Sequence, residues 1–311
     1  MNERTAMILK LVSTHVVLPM AVAIAAFFIS GDAFLVNVTA QTILLIVYLS
    51  GYWEFFGVKF RRLFPISLEI ILLAQLAYRI RSQAFFEYNL YFADAMFALE
   101  VFLLIQVVRI VVVMLKKDKS MLEIGFPLKG GEFLISDGGN SKISRLMNYH
   151  FWSADHRKNH TNNAMIFAAD IVKIVPPYPS FLPRENTDYP VFGERVYSPV
   201  DGTVVKVENS IADNRPYSGN YPYNTGNTVV IRKDDLYFLL GHLKEGSVIV
   251  HVGDDVKSGQ QIALAGNSGI SERPHVHIQL VKSESDNFWL GTGVSIQYGG
   301  KNLYKNRVIV V

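Results

Sequence analysis

The sequence predicts an N-terminal α-helical transmembrane region followed by an all-β domain of antiparallel sheets in a barrel- or sandwich-like arrangement. Two observations carry that prediction. Leu, Ile, Val, Ala and Phe dominate residues 1–115, and short β-branched runs separated by tight turns fill the chain from Val196 onward. Half of the 311 residues are hydrophobic and the mean hydropathy is +0.21, too apolar for an ordinary soluble protein of this length.

Leu11 to Gly31 and Ala33 to Trp53 contain no Lys or Arg and no Glu, and the only carboxylate between them is Asp32. Each is long enough for the roughly 20 residues that a helix needs to cross a bilayer core. The first is too long for a cleavable leader and is followed at once by the second. Ala95 to Leu115 is a third span, interrupted by Glu100 and Arg109. Phe64 to Tyr78 is shorter and carries Glu69 near its middle, where a carboxylate is costly. If all four cross, Arg4, Lys10, Lys59, Arg61, Arg62, Lys116, Lys117 and Lys119 share one side, and Arg79 and Arg81 the other. The positive-inside rule prefers this model only slightly over three spans. The polar residues His15, Glu54, Glu69, Asp94, Glu100 and Arg109 read as helix-to-helix contacts ahead of an ion path.

The basic run from Lys116 to Lys119 marks a boundary. The expected organisation is a transmembrane region over 1–115, a connector over 116–150 and a β domain over 151–311. Expected strands are Val196–Val200, Thr203–Glu208, Thr228–Arg232, Leu236–Leu240, Ser247–Val252, Gln260–Ala265 and His275–Val281. Pro176 to Pro190 reads as an ordered loop.

A formal charge of +3 and the lack of a basic stripe argue against nucleic acid. There is no cysteine, so disulfides and thiolate ligands are excluded and any metal must be held by His, Asp or Glu. Seven of the eight histidines follow residue 149. In His275-Val276-His277 the strand alternation turns both imidazoles to one face and Val276 to the other. His242 closes an apolar strand, and Asp170 closes Met165-Ile166-Phe167-Ala168-Ala169. On pattern alone Asp170 is equally a turn former and a ligand.

Gly241-His242-Leu243, Val252-Gly253-Asp254, Gly266-Asn267-Ser268-Gly269 and Pro274-His275-Val276-His277 resemble the lysostaphin-type zinc metallopeptidases. Val196-Tyr197-Ser198-Pro199-Val200-Asp201-Gly202-Thr203 and Gly226-Asn227-Thr228-Val229 match the same family in the same order, and the resemblance covers about residues 155–290. It implies one zinc ion held by His160, Asp170 and His277, with His242 and His275 as catalytic histidines. The fourth position of such a site takes water. Here His160 precedes Asp170 by ten residues rather than the common four; Phe167-Ala168-Ala169-Asp170 resembles a longer form of the motif, and His156 stays an alternative to His160. His251 lacks a motif partner and reads as a surface residue.

The resemblance implies an endopeptidase that hydrolyses peptide cross-links of bacterial peptidoglycan. The competing readings are a catalytically silent regulator of cell-wall hydrolases on the same fold, and a biotinyl- or lipoyl-type carrier, which has no use for a His-x-His pair. Expected partners are the peptidoglycan peptide and membrane lipid around the N-terminal helices. Because peptidoglycan lies outside the cytoplasmic membrane, three spans and an extracytoplasmic β domain are the expectation.

Overall fold

The computed structural model describes residues 3–28, 33–81, 90–116, 121–150, 163–218 and 225–311. The chain divides into a helical unit, Thr5–Val112, and a β unit holding Val113–Val311 together with Met1–Arg4.

In the helical part, α1 (Glu3–Val12) runs through a π-helical turn at Ser13–Val17 into α2 (Leu18–Phe28), followed by α3 (Ala33–Ser50), α4 (Gly57–Arg81) and α5 (Leu90–Leu115). Three helical stretches are long and apolar enough to cross a membrane: Glu3–Ala26, Leu63–Arg81 and Ala93–Leu115. The first and last overlap the expected Leu11–Gly31 and Ala95–Leu115, but the middle one is not Ala33–Trp53. The doubted segment around Glu69 lies in α4, whose 25 residues extend about 37 Å at 1.5 Å per residue. The stretch Phe34–Ser50 is the short one. Glu69 therefore interrupts the hydropathy without interrupting the helix.

Several of the polar residues in these helices serve helix packing. Thr42 Oγ1 donates to Glu100 Oε1 at 2.7 Å, and Asn37 Nδ2 donates to Gln75 Oε1 at 2.9 Å. His15 Nε2 accepts the Tyr52 amide at 2.7 Å. Side chains such as Ile66, Ile70, Leu73, Phe97 and Phe102 face outward, an apolar exterior suited to lipid.

The β unit contains β1 (Leu122–Glu123), β2 (Glu132–Asp137), β3 (Ala169–Lys173), β4 (Arg195–Tyr197), β5 (Gly202–Glu208), β6 (Asn227–Lys233) and β7 (Leu236–Leu243). It continues with β8 (Asp255–Val256), β9 (Gln261–Leu264), β10 (Val276–Lys282), β11 (Thr292–Val294), β12 (Ile296–Tyr298), β13 (Lys301–Asn302) and β14 (Val308–Val310). A nine-stranded sheet runs β14-β2-β3-β10-β7-β6-β5-β8, with β11 also on β10. All its pairings are antiparallel. β4 and β9 form a second sheet, and a third is β1-β12-β13, whose two-residue β1–β12 pairing is parallel.

Period-two alternation builds the core. Val229, Ile231, Phe238, Leu240, Val276, Ile278 and Leu280 share one buried cluster with Val196, Ile262 and Ala263 of the β4–β9 sheet. The opposite face of the same strands buries Val230, Tyr237, Leu239 and Val281 with Phe288. Strands covered on both faces read as continuous apolar runs, as Tyr237 to Leu240 does.

Two expectations change. Residues 121–150 are no connector: they supply β1 and β2, and β2 lies inside the main sheet. Ser247–Val252 is not a strand, because Val248 N bonds to Asn209 Oδ1 and Ile249 N to Ile262 O instead of forming a ladder. Since Phe238 is fully buried in the larger cluster, Phe238→Ala should destabilise the β unit by about 3–5 kcal/mol in denaturant unfolding.

Candidate metal centre and histidine cluster

Strand pairing assembles the site. β10 lies between β3 and β7, and its His277 is opposite both Asp170 and Gly241. One strand further, Asp170 is opposite Asp137 of β2. Directly opposed residues share a face, so Asp137, Asp170 and His277 form a row across three strands at one end of the sheet. Val276, on the other face, is locked into the core. His242 follows Gly241 with φ of +57°, a left-handed conformation uncommon for a residue with a side chain. Its amide bonds to Thr225 O at 2.8 Å.

His150 completes the group. Its Nε2 is 3.2 Å from Asp170 Oδ1, and His277 Nδ1 is 3.0 Å from the same oxygen. Ligand atoms of His150, Asp170 and His277 all lie within 4.8 Å of one another. His275 Nε2 is 3.5 Å from Asp170 Oδ1. The His242 and His275 ring centroids are 4.6 Å apart. All five side chains are buried.

The partners on the far side of each ring decide which nitrogen keeps its lone pair. His242 Nδ1 is 2.8 Å from Ser268 O, and His275 Nδ1 is 2.8 Å from Arg273 O. A carbonyl only accepts, so in both rings Nδ1 carries a hydrogen and Nε2 is the nitrogen that can take up or give a proton. His277 is reversed: its Nε2 faces Gln279 Oε1 at 3.1 Å, and Nδ1 is the nitrogen turned to Asp170. Such outer contacts fix tautomer and ring orientation in metal sites. Tight packing holds the Ser268 carbonyl, since a Cβ added at Gly226 would collide with it.

The charges are mutually adjusted. Burial alone would raise the Asp170 pKa, but the charges of His150 and His275 and their hydrogen bonds hold it well below the usual carboxylate value. Burial works against a charged His150, yet the Asp170 carboxylate overrides it and raises its pKa. His242 is pushed well below the ordinary histidine value, first by burial and then by His275 and His277. It is therefore a neutral base at pH 7. Burial also lowers His277. Behind the row, buried Lys305 Nζ is 3.4 Å from Asp137 Oδ1 and offsets a second carboxylate facing Asp170.

Of the residues expected from sequence, Asp170, His242, His275 and His277 come together here. His160, like the alternative His156, lies outside the described residues. The position beside Asp170 and His277 is taken by His150, which the sequence reading did not single out. It precedes Asp170 by twenty residues, a separation with no spacing rule behind it. Its one local sign is Asn148, two residues earlier, whose Oδ1 faces the His150 ring at 2.7 Å. His251 is exposed beside Asp254.

Comparison with known proteins follows the same lines. Residues 185–288 match the model of Peptidase family M23. That span holds His242, His275 and His277 but begins after His150 and Asp170. Over 100 residues the chain is 35% identical to peptidoglycan DD-endopeptidase ShyA of Vibrio cholerae, covering 32% of this chain and 20% of that protein. Peptidoglycan DD-endopeptidase ShyB of the same organism is 35% identical over 101 residues, covering 32% and 21%. The chain thus spans about a fifth of the length of these curated relatives. The structure of lysostaphin from Staphylococcus simulans aligns with a TM-score of 0.26 and 26% identity, over 33% of this chain and 38% of that one.

Deleting Lys305 tests the charge arrangement. Burial raises the Asp137 pKa and Lys305 lowers it, so Lys305→Met removes the ion-pair partner of a buried carboxylate and should cost about 3–5 kcal/mol. With the lysine gone the Asp137 pKa rises further. The folded state then prefers the protonated form, so the deficit grows as pH rises through that range and shrinks in acid. Denaturant unfolding of both proteins at mildly acid and mildly alkaline pH measures this, and a deficit independent of pH would contradict it.

Proposed function

We propose that the Peptidase family M23 domain of this chain is a zinc-dependent endopeptidase that cuts peptide cross-links of bacterial peptidoglycan from a membrane anchor. The observation that carries this reading is the pairing of a three-ligand group with two further histidines anchored through Nδ1 in the same cluster.

The donor set fits zinc. Two imidazole nitrogens and one carboxylate oxygen, with the outer nitrogens of the rings engaged by Asn148 and Gln279, are a catalytic zinc complement that leaves one position open. His150, Asp170 and His277 would hold the ion, with His150 in the role that the resemblance had assigned to His160. When bound, zinc supplies Lewis acidity toward the scissile carbonyl and lowers the pKa of its water toward about 7.

The chain's own groups handle protons. His242, neutral at pH 7, accepts a proton at Nε2, while its Nδ1–H on Ser268 O prevents the ring from turning. His275, anchored on Arg273 O, presents a second Nε2 that can donate to the oxyanion or the leaving amine once protonated. The position of Asp170 between His150, His275 and His277 keeps it ionised and a ligand.

The membrane part supports anchoring, with three stretches able to cross a bilayer. Because peptidoglycan lies outside the cytoplasmic membrane, this reading puts the β domain on the extracytoplasmic face of the bacterial cytoplasmic membrane. A phosphatase reporter that works only outside the cytoplasm, fused after Lys119, should be active; activity only of a cytoplasmic reporter at that point would refute the orientation.

The full chain in detergent micelles should contain about one zinc per chain and release muropeptides from purified peptidoglycan. His275→Ala and His242→Ala should keep the metal and lose about 10²–10⁴-fold in rate. His150→Ala and His277→Ala should lose metal and activity together. Bound zinc without any cleavage would favour the silent regulator instead, and a wild-type chain that takes up no zinc would remove the peptidase reading.

A further inference from the structure

We infer that Asn148 is a positioning residue that determines which nitrogen of His150 faces the metal ligands, a proposal that rests on the metal-centre reading above. Asn148 is fully buried and every hydrogen-bonding group of its amide is used. Nδ2 donates to Gly139 O at 2.7 Å and to Ala168 O at 2.8 Å. Oδ1 accepts the His150 backbone amide at 3.1 Å and faces His150 Nδ1 at 2.7 Å.

These contacts admit one arrangement. Gly139 O and Ala168 O are carbonyls, which only accept, so the NH₂ end of the amide must point at them. The oxygen end is then the one against His150. An oxygen cannot donate, so His150 Nδ1 must carry a hydrogen, and Nε2, 3.2 Å from Asp170 Oδ1, is the nitrogen that holds the lone pair whenever the ring is neutral, as a metal ligand must be. The tautomer of the ligand is thus dictated by two backbone carbonyls through a single side chain. The same amide ties the strand entry at Ala168, two residues before Asp170, to the loop that delivers His150. Gly138 N on Met147 O at 3.1 Å closes that loop at its base. One residue therefore sets the tautomer of His150 and ties its loop to the strand that carries Asp170.

A plain loop clamp would need only the two donated bonds, whereas the tautomer role needs the acceptor. Asn148→Ala removes both, and Asn148→Asp keeps an oxygen toward His150 while losing the donors. Zinc affinity is read by chelator competition on the full chain in detergent, with the melting temperature of the metal-free protein as the check of folding. Asn148→Ala should bind zinc about 10- to 100-fold more weakly, the usual effect of losing an outer contact to a ligand. Asn148→Asp should stay within a few-fold of wild type. Equal losses in both variants would reduce Asn148 to a clamp and overturn the proposal, as would no loss in either. If Asn148→Ala does not fold, a folded Asn148→Asp that has lost tenfold or more overturns it alone. Failure of the metal reading looks different: wild type would take up no zinc, or His150→Ala would bind it undiminished.

Discussion

The site depends on the register of one strand. β10 pairs with β3 and β7 so that His277 is opposite Asp170 on one side and Gly241 on the other. Because side chains alternate with a period of two, a slip of one residue would send His277 into the core and Val276 into the site. The register is held by the apolar partners that the alternation buries, Val276, Ile278 and Leu280 in one cluster and Val281 in another. Hydrophobic burial thus positions polar chemistry that it could not itself tolerate. A buried imidazole or carboxylate is affordable here because each has a partner.

The electrostatics follow from that closeness. Five buried titratable side chains, with a second carboxylate, Asp137, and Lys305 behind them, form a cluster in which each charge is offset by a neighbour. Its consequence for the proposed chemistry is a division of labour. Asp170 and its contacting rings take the ionised role, while burial and neighbouring rings keep His242 neutral. Backbone carbonyls at Ser268 and Arg273 then choose which nitrogen is available.

Legibility differed between the two halves. The helical part was readable from composition, but which segments are long enough was not. Glu69 lowers the apolar count of its segment without breaking helical hydrogen bonds, so α4 continues for 25 residues. In the β part, β5, β6, β7, β9 and β10 were visible as β-branched runs bounded by turns. β2 was missed because Glu132–Asp137 stands alone in a stretch of mixed composition, and its partners β3 and β14 are distant in sequence. Ser247–Val252 had the pattern of a strand, yet its amides bond singly to Asn209 and Ile262.

By itself the sequence determined the class of chemistry: no thiol is available, so a metal would have to rest on His, Asp or Glu, and His275 and His277 share a strand face. It also determined the apolar alternation that buries Val276. Only the tertiary structure brought His150 beside Asp170 and His277. His150 arrives on a loop held by Asn148 and by the pairing of β2 with β3, contacts between residues with no fixed spacing. Periodicity reports neighbours along one element, and it is silent about a ligand brought in across the sheet.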